Sequence, residues 1–178
     1  MKFKFKLKRV AQAVALAAAL SAPAAQAVVT DWGVHDPLEF GGGWLVPPGA
    51  FDDFFKFTMP FSGEVSSVAV ANNLLSILNI TEGMVQLWEG TYGDLVPDTL
   101  KLSYSFDGTT GSTAHTVSGL TGGFSYYYEV SGTAGGSSGG IYILTSTLIP
   151  EPESYAMLLA GLGLMGFVAR RRKQNAAA

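Results

Sequence analysis

The middle of the chain alternates apolar and polar residues with a period of two. Residues 100–107 read Leu-Lys-Leu-Ser-Tyr-Ser-Phe-Asp, and residues 124–131 follow a similar pattern. Successive side chains of a strand point to opposite faces, so this pattern predicts half-buried strands with a polar outer face. The period differs from the 3.6 residues of a helix. The middle of the chain is therefore predicted to be all-β.

Seven further segments of the middle have the composition of short strands. They lie at residues 39–45, 51–58, 65–72, 74–81, 84–88, 114–117 and 141–147. Turn sequences rich in Gly, Pro, Asn and Asp separate the segments. About nine short strands without a fixed repeat favour an antiparallel β-sandwich over residues 28–149. Because the chain has no cysteine, this sandwich must be stable without disulfides.

Charges are divided unevenly along the chain. Nine of the eleven basic residues lie within 1–9 or 170–173, and only Lys56 and Lys101 lie between residues 28 and 149. That stretch also holds twelve acidic residues, so it is about ten charges negative. It has too few cations to replace counterions along a phosphate backbone, which excludes a nucleic acid as its partner.

The N-terminal end is typical of a secretory signal peptide. Residues 1–9 are basic and free of acids, and residues 10–20 are apolar except for one glutamine. Ala25 and Ala27 place small residues at the −3 and −1 positions of a cleavage site. We therefore predict a signal helix within residues 1–27, which signal peptidase removes by cleavage after Ala27.

The C-terminal end has three parts in order. A Pro-Glu-Pro sequence is followed by an uncharged apolar stretch at 155–169 and then by four cations, Arg170, Arg171, Arg172 and Lys173. Fifteen helical residues span roughly 22 Å, which is short for a hydrocarbon core of about 30 Å. The cations nevertheless favour a transmembrane helix at 155–169, because a basic cluster stays on the cytoplasmic side.

This arrangement, over residues 150–174, resembles the PEP-CTERM sorting signal of Gram-negative bacteria. The resemblance implies that exosortase, an integral-membrane transpeptidase-like enzyme, recognises Pro150, Glu151 and Pro152. It also implies that the tail is removed on the way to the cell surface or the extracellular matrix. The expected precursor is held in the inner membrane by its C-terminal helix, with a cytoplasmic C-terminus. A plain single-pass membrane anchor is the alternative.

The segment at 51–57 combines aromatic residues with a carboxylate. Alternation places Phe51, Asp53, Phe55 and Phe57 on one strand face. A lone buried carboxylate is costly, so Asp53 should accept backbone hydrogen bonds or lie at the rim of the sheet. Alternatively, only the last two phenylalanines belong to the core.

This segment and residues 128–134 resemble the signature of the FxDxF subgroup of PEP-CTERM proteins. The subgroup resemblance implies no biochemical activity that can be transferred to this chain.

No catalytic context is recognisable, and we predict a non-enzymatic protein without a cofactor or bound metal. Residues 135–139 spell G-x-S-x-G, but a nucleophile elbow needs a following helix and a later histidine, whereas His35 and His115 precede Ser137. We expect His35 in a turn and His115 on a solvent-facing strand position.

Calcium binding by loop carboxylates is a weaker hypothesis for the acidic middle, because hard cations prefer oxygen ligands. The candidate ligands are Asp94, Asp98 and Asp107.

The expected function is that of an exported surface or matrix protein, sorted by exosortase and associated with exopolysaccharide or a biofilm. A secreted carbohydrate-binding module or hydrolase that uses the same route is the alternative. Exposed aromatic rings could stack on sugars, although most tryptophans are buried in proteins. The candidate rings are Trp32, Trp44, Trp88, Tyr92 and Tyr127.

Overall fold

A computed structural model describes residues 26–109, 112–150 and 152–175. Of the predicted signal peptide, only Gln26 and Ala27 are described, so the predicted cleavage-site residue Ala25 lies outside the described residues. Glu151 of the Pro-Glu-Pro sequence also lies outside them. The described part contains nine strands and one helix. They are β1 Val29–Val34, β2 Leu38–Gly42, β3 Gly49–Thr58, β4 Gly63–Ala71, β5 Ile80–Glu89, β6 Thr99–Phe106, β7 His115–Leu120, β8 Ser125–Ala134, β9 Tyr142–Pro150 and α1 Pro152–Asn175.

The strands form two sheets. One has five strands in the order β1-β3-β8-β5-β6, and the other has four in the order β2-β9-β4-β7. The all-β prediction is confirmed, and the sheets enclose one core between them as in a sandwich. The pairing is antiparallel except that β1 runs parallel to β3, which corrects the purely antiparallel expectation.

Two strand predictions differ from the structure. Residues 74–81 do not form a separate strand: Leu74 and Leu78 close a tight turn, and Leu75 within it has a φ of 54°. Only the last two residues of that segment belong to a strand, as the start of β5. Conversely, β1 is a strand that the sequence did not predict, because Gly33 and the bulge beside it interrupt the alternation of apolar and polar residues.

The core consists largely of aromatic side chains from the inner face of the five-stranded sheet. Phe55, Tyr128 and Val130 have no exposed surface, and burying a side chain of this size contributes roughly 2–3 kcal/mol. The facing sheet leaves room for these rings with a small residue. A Cβ atom on Gly41 would lie 2.6 Å from Cε1 of Phe55, so only glycine fits at this point of β2.

A bulge in β6 changes the orientation of one predicted core residue. Leu102 pairs with Leu87, but the next pair joins Leu100 to Trp88, so one residue of β6 is skipped. Leu100 was predicted on the inner face and is instead 45% exposed. A bulge shifts the alternation by one position, and sequence alternation alone does not reveal it.

Buried polar side chains connect the two sheets through the core. His35 is 2% exposed, and its Nε2 lies 2.8 Å from Oγ of Ser146 on β9. The same Oγ is 3.0 Å from the hydroxyl of Tyr128 on β8. Burial lowers the pKa of His35. His35 lies between β1 and β2, beside Asp36 and Pro37 as predicted, but its side chain is buried in the core. His115 is half-buried and stacks on Tyr104 at 3.9 Å between ring centroids, so the predicted solvent-facing position is only partly exposed.

The C-terminal helix α1 is longer than the predicted helix at 155–169. It starts at Pro152 and includes the basic cluster, yet its uncharged part is still only that stretch. Among the described residues, no helix has both the length and the apolar character needed to cross a membrane. The stretch at 155–169 is therefore helical, as predicted, but it is not supported as a membrane span.

Candidate functional site

The sorting segment begins where the sheet ends. β9 lies between β2 and β4, and its last residue, Pro150, pairs with Gly63. Proline lacks an N–H group and cannot extend the ladder beyond this point. α1 begins at Pro152, so a single residue separates the sandwich from the helix.

The side chains of α1 that the structure describes do not pack against the sandwich. Every described side chain from residue 155 to 168 is exposed, including Leu159 at 68% and Phe167 at 64%. The basic cluster at 170–173 lies in the last turns of the same helix. Removal of α1 would therefore leave all nine strands and their core intact.

The face predicted for the segment at 51–57 is confirmed. Phe51, Asp53, Phe55 and Phe57 are all at most 3% exposed on the inner face of β3. The alternative, in which only the last two phenylalanines are core residues, is wrong. All four side chains are enclosed by protein, which suits a structural role.

Asp53 accepts hydrogen bonds from two parts of the fold. Its Oδ1 accepts from the backbone N–H of Val28 at 2.8 Å, as the expected backbone contact requires. Its Oδ2 accepts from the hydroxyl of Tyr142, on the opposite sheet, at 2.5 Å. Burial raises the pKa of Asp53, and the two hydrogen bonds oppose that rise.

The outer face of the five-stranded sheet carries an aromatic cluster, formed by Phe54, Tyr92 and Tyr127. Phe54 lies 4.2 Å from Tyr92 between ring centroids, and Tyr92 lies 5.6 Å from Tyr127 at an interplanar angle of 71°. The hydroxyl of Tyr127 donates to Asp98 at 2.7 Å. Beside the cluster, the indole N–H of Trp88 donates to Glu129 at 2.8 Å. Aromatic rings and carboxylates thus alternate on this face.

Two clefts adjoin the aromatic cluster at the end of the sheet. One has a volume of about 320 Å³ and is lined by residues that include Asp94, Asp98 and the exposed ring of Phe124. The other has a volume of about 150 Å³ and is lined by residues that include Lys56 and Tyr92. Gly90, Thr91 and Ser125 line both clefts, so the two are neighbours, and together they are called the sheet-end cleft below.

Gly90 gives the sheet-end cleft its shape. Its φ is 152°, and a Cβ atom there would lie 1.6 Å from Oδ1 of Asp98. The carboxylate of Asp98 can take its place only because residue 90 has no side chain.

The acids that line the sheet-end cleft already have partners within the chain. Glu89 pairs with Lys101 at 2.7 Å, Asp98 accepts from Tyr127, and Asp94 accepts from the backbone N–H of Val96 at 2.9 Å. Within the described ranges, no three His, Cys, Asp or Glu side chains converge on a possible metal site. These carboxylates order the wall of the cleft.

Two of the five candidate sugar-stacking rings are part of the core. Trp32 stacks on Phe55 at 5.4 Å, and Trp44 packs against the same ring at 6.1 Å. The other three, Trp88, Tyr92 and Tyr127, share the outer face. Sequence reasoning did not identify Phe54 and Phe124 as candidate sugar-stacking rings. Alternation along β3 does place Phe54 on the sheet face that lies away from the buried phenylalanines.

Asp52, also on the outer face of β3, lies in an environment that is unfavourable for its ionised carboxylate. Burial raises its pKa to about 6, and the charges of Glu129 and Asp53 add to the rise. Its Oδ1 is buried without a hydrogen-bond partner among the described residues. An ionised carboxylate in this place destabilises the folded protein.

A folded domain followed by an exposed helical segment defines a protein with a separable C-terminal tail. The model of the PEP-CTERM protein-sorting motif matches residues 148–173, so the C-terminal segment of the chain carries this motif. The motif includes the end of β9, Pro150, Pro152 and the helix up to the basic cluster. A PEP-CTERM motif implies an exported protein that exosortase processes.

Three solved structures resemble the sandwich. PliG of Aeromonas hydrophila, a periplasmic inhibitor of g-type lysozyme, is 10% identical, with a TM-score of 0.39 over 69% of this chain and 99% of that chain. TmCBM61, solved with β-1,4-galactotriose, is 11% identical, with a TM-score of 0.37 over 67% and 92%. The pre-peptidase C-terminal domain of a Bacillus anthracis collagenase is 11% identical, with a TM-score of 0.32 over 67% and 94%. No curated protein sequence matches the chain.

The raised pKa of Asp52 predicts a pH-dependent gain of stability in Asp52→Asn. The folded protein binds the Asp52 proton more tightly than the unfolded chain, so wild-type stability falls as pH rises from about 4 to about 6. After allowance for solvent screening, the substitution should raise the free energy of unfolding by about 1 kcal/mol at pH 7 and change it little at pH 4. Urea unfolding at the two pH values measures this difference.

Glu82→Gln, which removes one negative charge from an exposed side chain, is the matched control. An equal gain in both variants at pH 7 would show that net charge, not the setting of Asp52, causes the effect.

Proposed function

We propose that this chain is a non-enzymatic exported protein whose β-sandwich exosortase delivers to the cell surface or the extracellular matrix. The junction of β9 and α1 carries the proposal. It places the recognition sequence Pro150-Glu151-Pro152 between a complete sandwich and a helix with exposed apolar side chains. Processing at this junction separates the two without unfolding either. The apolar helix and its basic end engage the membrane and its embedded processing enzyme before cleavage.

The aromatic and acidic groups of the sandwich support the non-enzymatic assignment. Glu89, Asp94 and Asp98, which line the sheet-end cleft, each hold another part of the chain, and this bonding fits carboxylates that order the wall of a binding surface. The phenylalanines and the carboxylate of the FxDxF-like segment are buried, which fits a stabilising role and membership of the FxDxF subgroup.

Replacing Pro150, Glu151 and Pro152 together by alanine should prevent processing in an exosortase-containing host. Because recognition requires the junction and not the sandwich, the variant should remain in the membrane fraction as an unprocessed chain while it stays folded. Immunoblots of surface and membrane fractions measure its distribution. The control replaces Pro47 and Pro48, an exposed proline pair in a loop of the sandwich, and should be processed normally. Normal surface delivery of the triple variant would contradict the proposal.

A second candidate function is binding of a neutral or amino-substituted polysaccharide at the sheet-end cleft. The specific observation is the exposed ring of Phe124 beside Asp94 and Asp98, next to the aromatic cluster. Sugar rings present C–H faces to aromatic side chains and hydroxyls to carboxylates. The sandwich is about ten charges negative, so a strongly anionic polymer would be repelled. A recess of about 320 Å³ is within the range of ligand sites.

Two substitutions test this second candidate. Phe124→Ala removes the exposed ring, and Gly90→Ala displaces Asp98, so each should weaken polysaccharide binding about tenfold or more. Sedimentation with insoluble neutral polysaccharides, or with matrix isolated from the host, measures the binding. Phe40→Ala is the matched control, because Phe40 is 63% exposed on the other sheet. Equal binding by all variants would remove this candidate, and release of shorter sugars would contradict the non-enzymatic assignment.

A further inference from the structure

We propose that the buried carboxylate of Asp53 is a binding site for the α-ammonium group that signal-peptide removal creates at Val28. Cleavage after Ala27 would thus add an ion pair to the sandwich that the unprocessed chain lacks. The inference goes beyond the proposed function, because it concerns the N-terminus and does not depend on exosortase.

The geometry places the required atoms together. The backbone nitrogen of Val28 is 2.8 Å from Oδ1 of Asp53, a residue twenty-five positions away. Asp53 is only 2% exposed, whereas Val28 is 41% exposed. The nitrogen that cleavage converts into a chain terminus therefore contacts a carboxylate inside the core, although the residue that carries it is partly exposed.

The chemistry of cleavage supplies the charge. Hydrolysis of the Ala27–Val28 peptide bond consumes one water, whose hydroxyl goes to the carbonyl carbon of Ala27 and whose proton goes to the nitrogen of Val28. The new Ala27 carboxyl group then releases a proton, and the Val28 amine takes one up from solvent. An α-amino group with a pKa near 8 is largely protonated at neutral pH, so Val28 becomes cationic.

Asp53 has no other cation within the described residues. Lys56 pairs with Asp31 at 3.0 Å, and Lys101 pairs with Glu89 at 2.7 Å; between residues 28 and 149 the chain has no further lysine or arginine. Among the described residues, the only other hydrogen bond to the Asp53 carboxylate comes from the neutral hydroxyl of Tyr142. A buried carboxylate without a counter-charge is costly, and the raised pKa of Asp53 reflects that cost.

The first strand keeps its place after cleavage. The carbonyl of Val28 accepts from the N–H of Phe54 at 2.7 Å, and β1 pairs with β3 from Val29 onward. The hydrogen bonds lost with the signal peptide join Gln26 to Ala50 and Asp52, and Gln26 is exposed, so water can replace them. The buried carboxylate, by contrast, exchanges a neutral donor for a charged one, which adds a direct Coulomb attraction to the hydrogen bond.

The ion pair should raise the pKa of the Val28 α-amino group. Asp53 faces this group directly, Tyr142 is bonded to the same carboxylate, and Asp52 lies on the other face of β3 near Glu129. A raised folded-state pKa means that the stabilisation is fully present below about pH 8 and is lost as pH rises through the raised value. The negative charges of Asp53 and Asp52, on the two faces of β3, should both raise the pKa of the Val28 α-amino group.

The test compares two N-termini of the otherwise full chain in detergent. One chain starts at Val28 with a free amine, and the other retains Gln26 and Ala27, so that Val28 keeps its neutral amide. NMR titration of a valine-labelled chain that starts at Val28 should give an α-amino pKa at least about one unit above its usual value near 8. An unshifted value overturns the proposal, and this measurement does not require any variant to fold.

Asp53→Asn in both chains isolates the pair. If the proposal is correct, the substitution lowers the melting temperature of the chain that starts at Val28 by about 3 °C more than that of the extended chain. An equal loss in both would mean that Asp53 serves only as a hydrogen-bond acceptor. N-terminal sequencing of the exported protein must also give Val28 first, and any other first residue overturns the inference without affecting the C-terminal sorting proposal.

Discussion

The carboxylate of Asp53 is the constraint on which the arrangement of the two sheets depends. It lies on β3 in the five-stranded sheet, accepts from the residue that precedes β1, and accepts from Tyr142 on β9 in the other sheet. Phe51, Phe55 and Phe57 alternate with it along β3, and all four side chains are buried. A buried acceptor must be satisfied from fixed directions, so it fixes the position of both neighbours where apolar packing alone would tolerate sliding.

The scarcity of cations shapes the rest of the sandwich. With two lysines for twelve acids, most carboxylates are bound by hydroxyl, indole or backbone donors, as Asp98 is by Tyr127 and Glu129 is by Trp88. This arrangement produces an outer face on which aromatic rings and acids alternate. Asp52 is an exception, because its Oδ1 has no partner among the described residues, and burial together with the charges of Glu129 and Asp53 raises its pKa to about 6. The net negative charge of the domain opposes the binding of anionic polymers.

Short-range patterns predicted most of this molecule, and long-range contacts account for what they missed. Alternation placed Phe51, Asp53, Phe55 and Phe57 on one face, and the C-terminal residues predicted the PEP-CTERM motif. The parallel pairing of β1 with β3 leaves no local pattern, and neither does the hydrogen bond between His35 and Ser146, over a hundred positions apart. The sheet-end cleft is likewise lined by residues from four separate parts of the chain. The apolar stretch at 155–169 predicted a helix correctly, but its length did not support a membrane span.

The two proposed processing sites flank the sandwich in the sequence. Val28 immediately precedes β1, and Pro150 is the last residue of β9. We expect the sandwich to be delivered as a trimmed domain. Intact mass spectrometry of the protein recovered from the surface of an exosortase-containing host tests this expectation most directly. It should give a single chain that starts at Val28 and lacks the apolar stretch and the basic cluster at 155–173. A surface protein whose mass still includes residues 155–173 would contradict it.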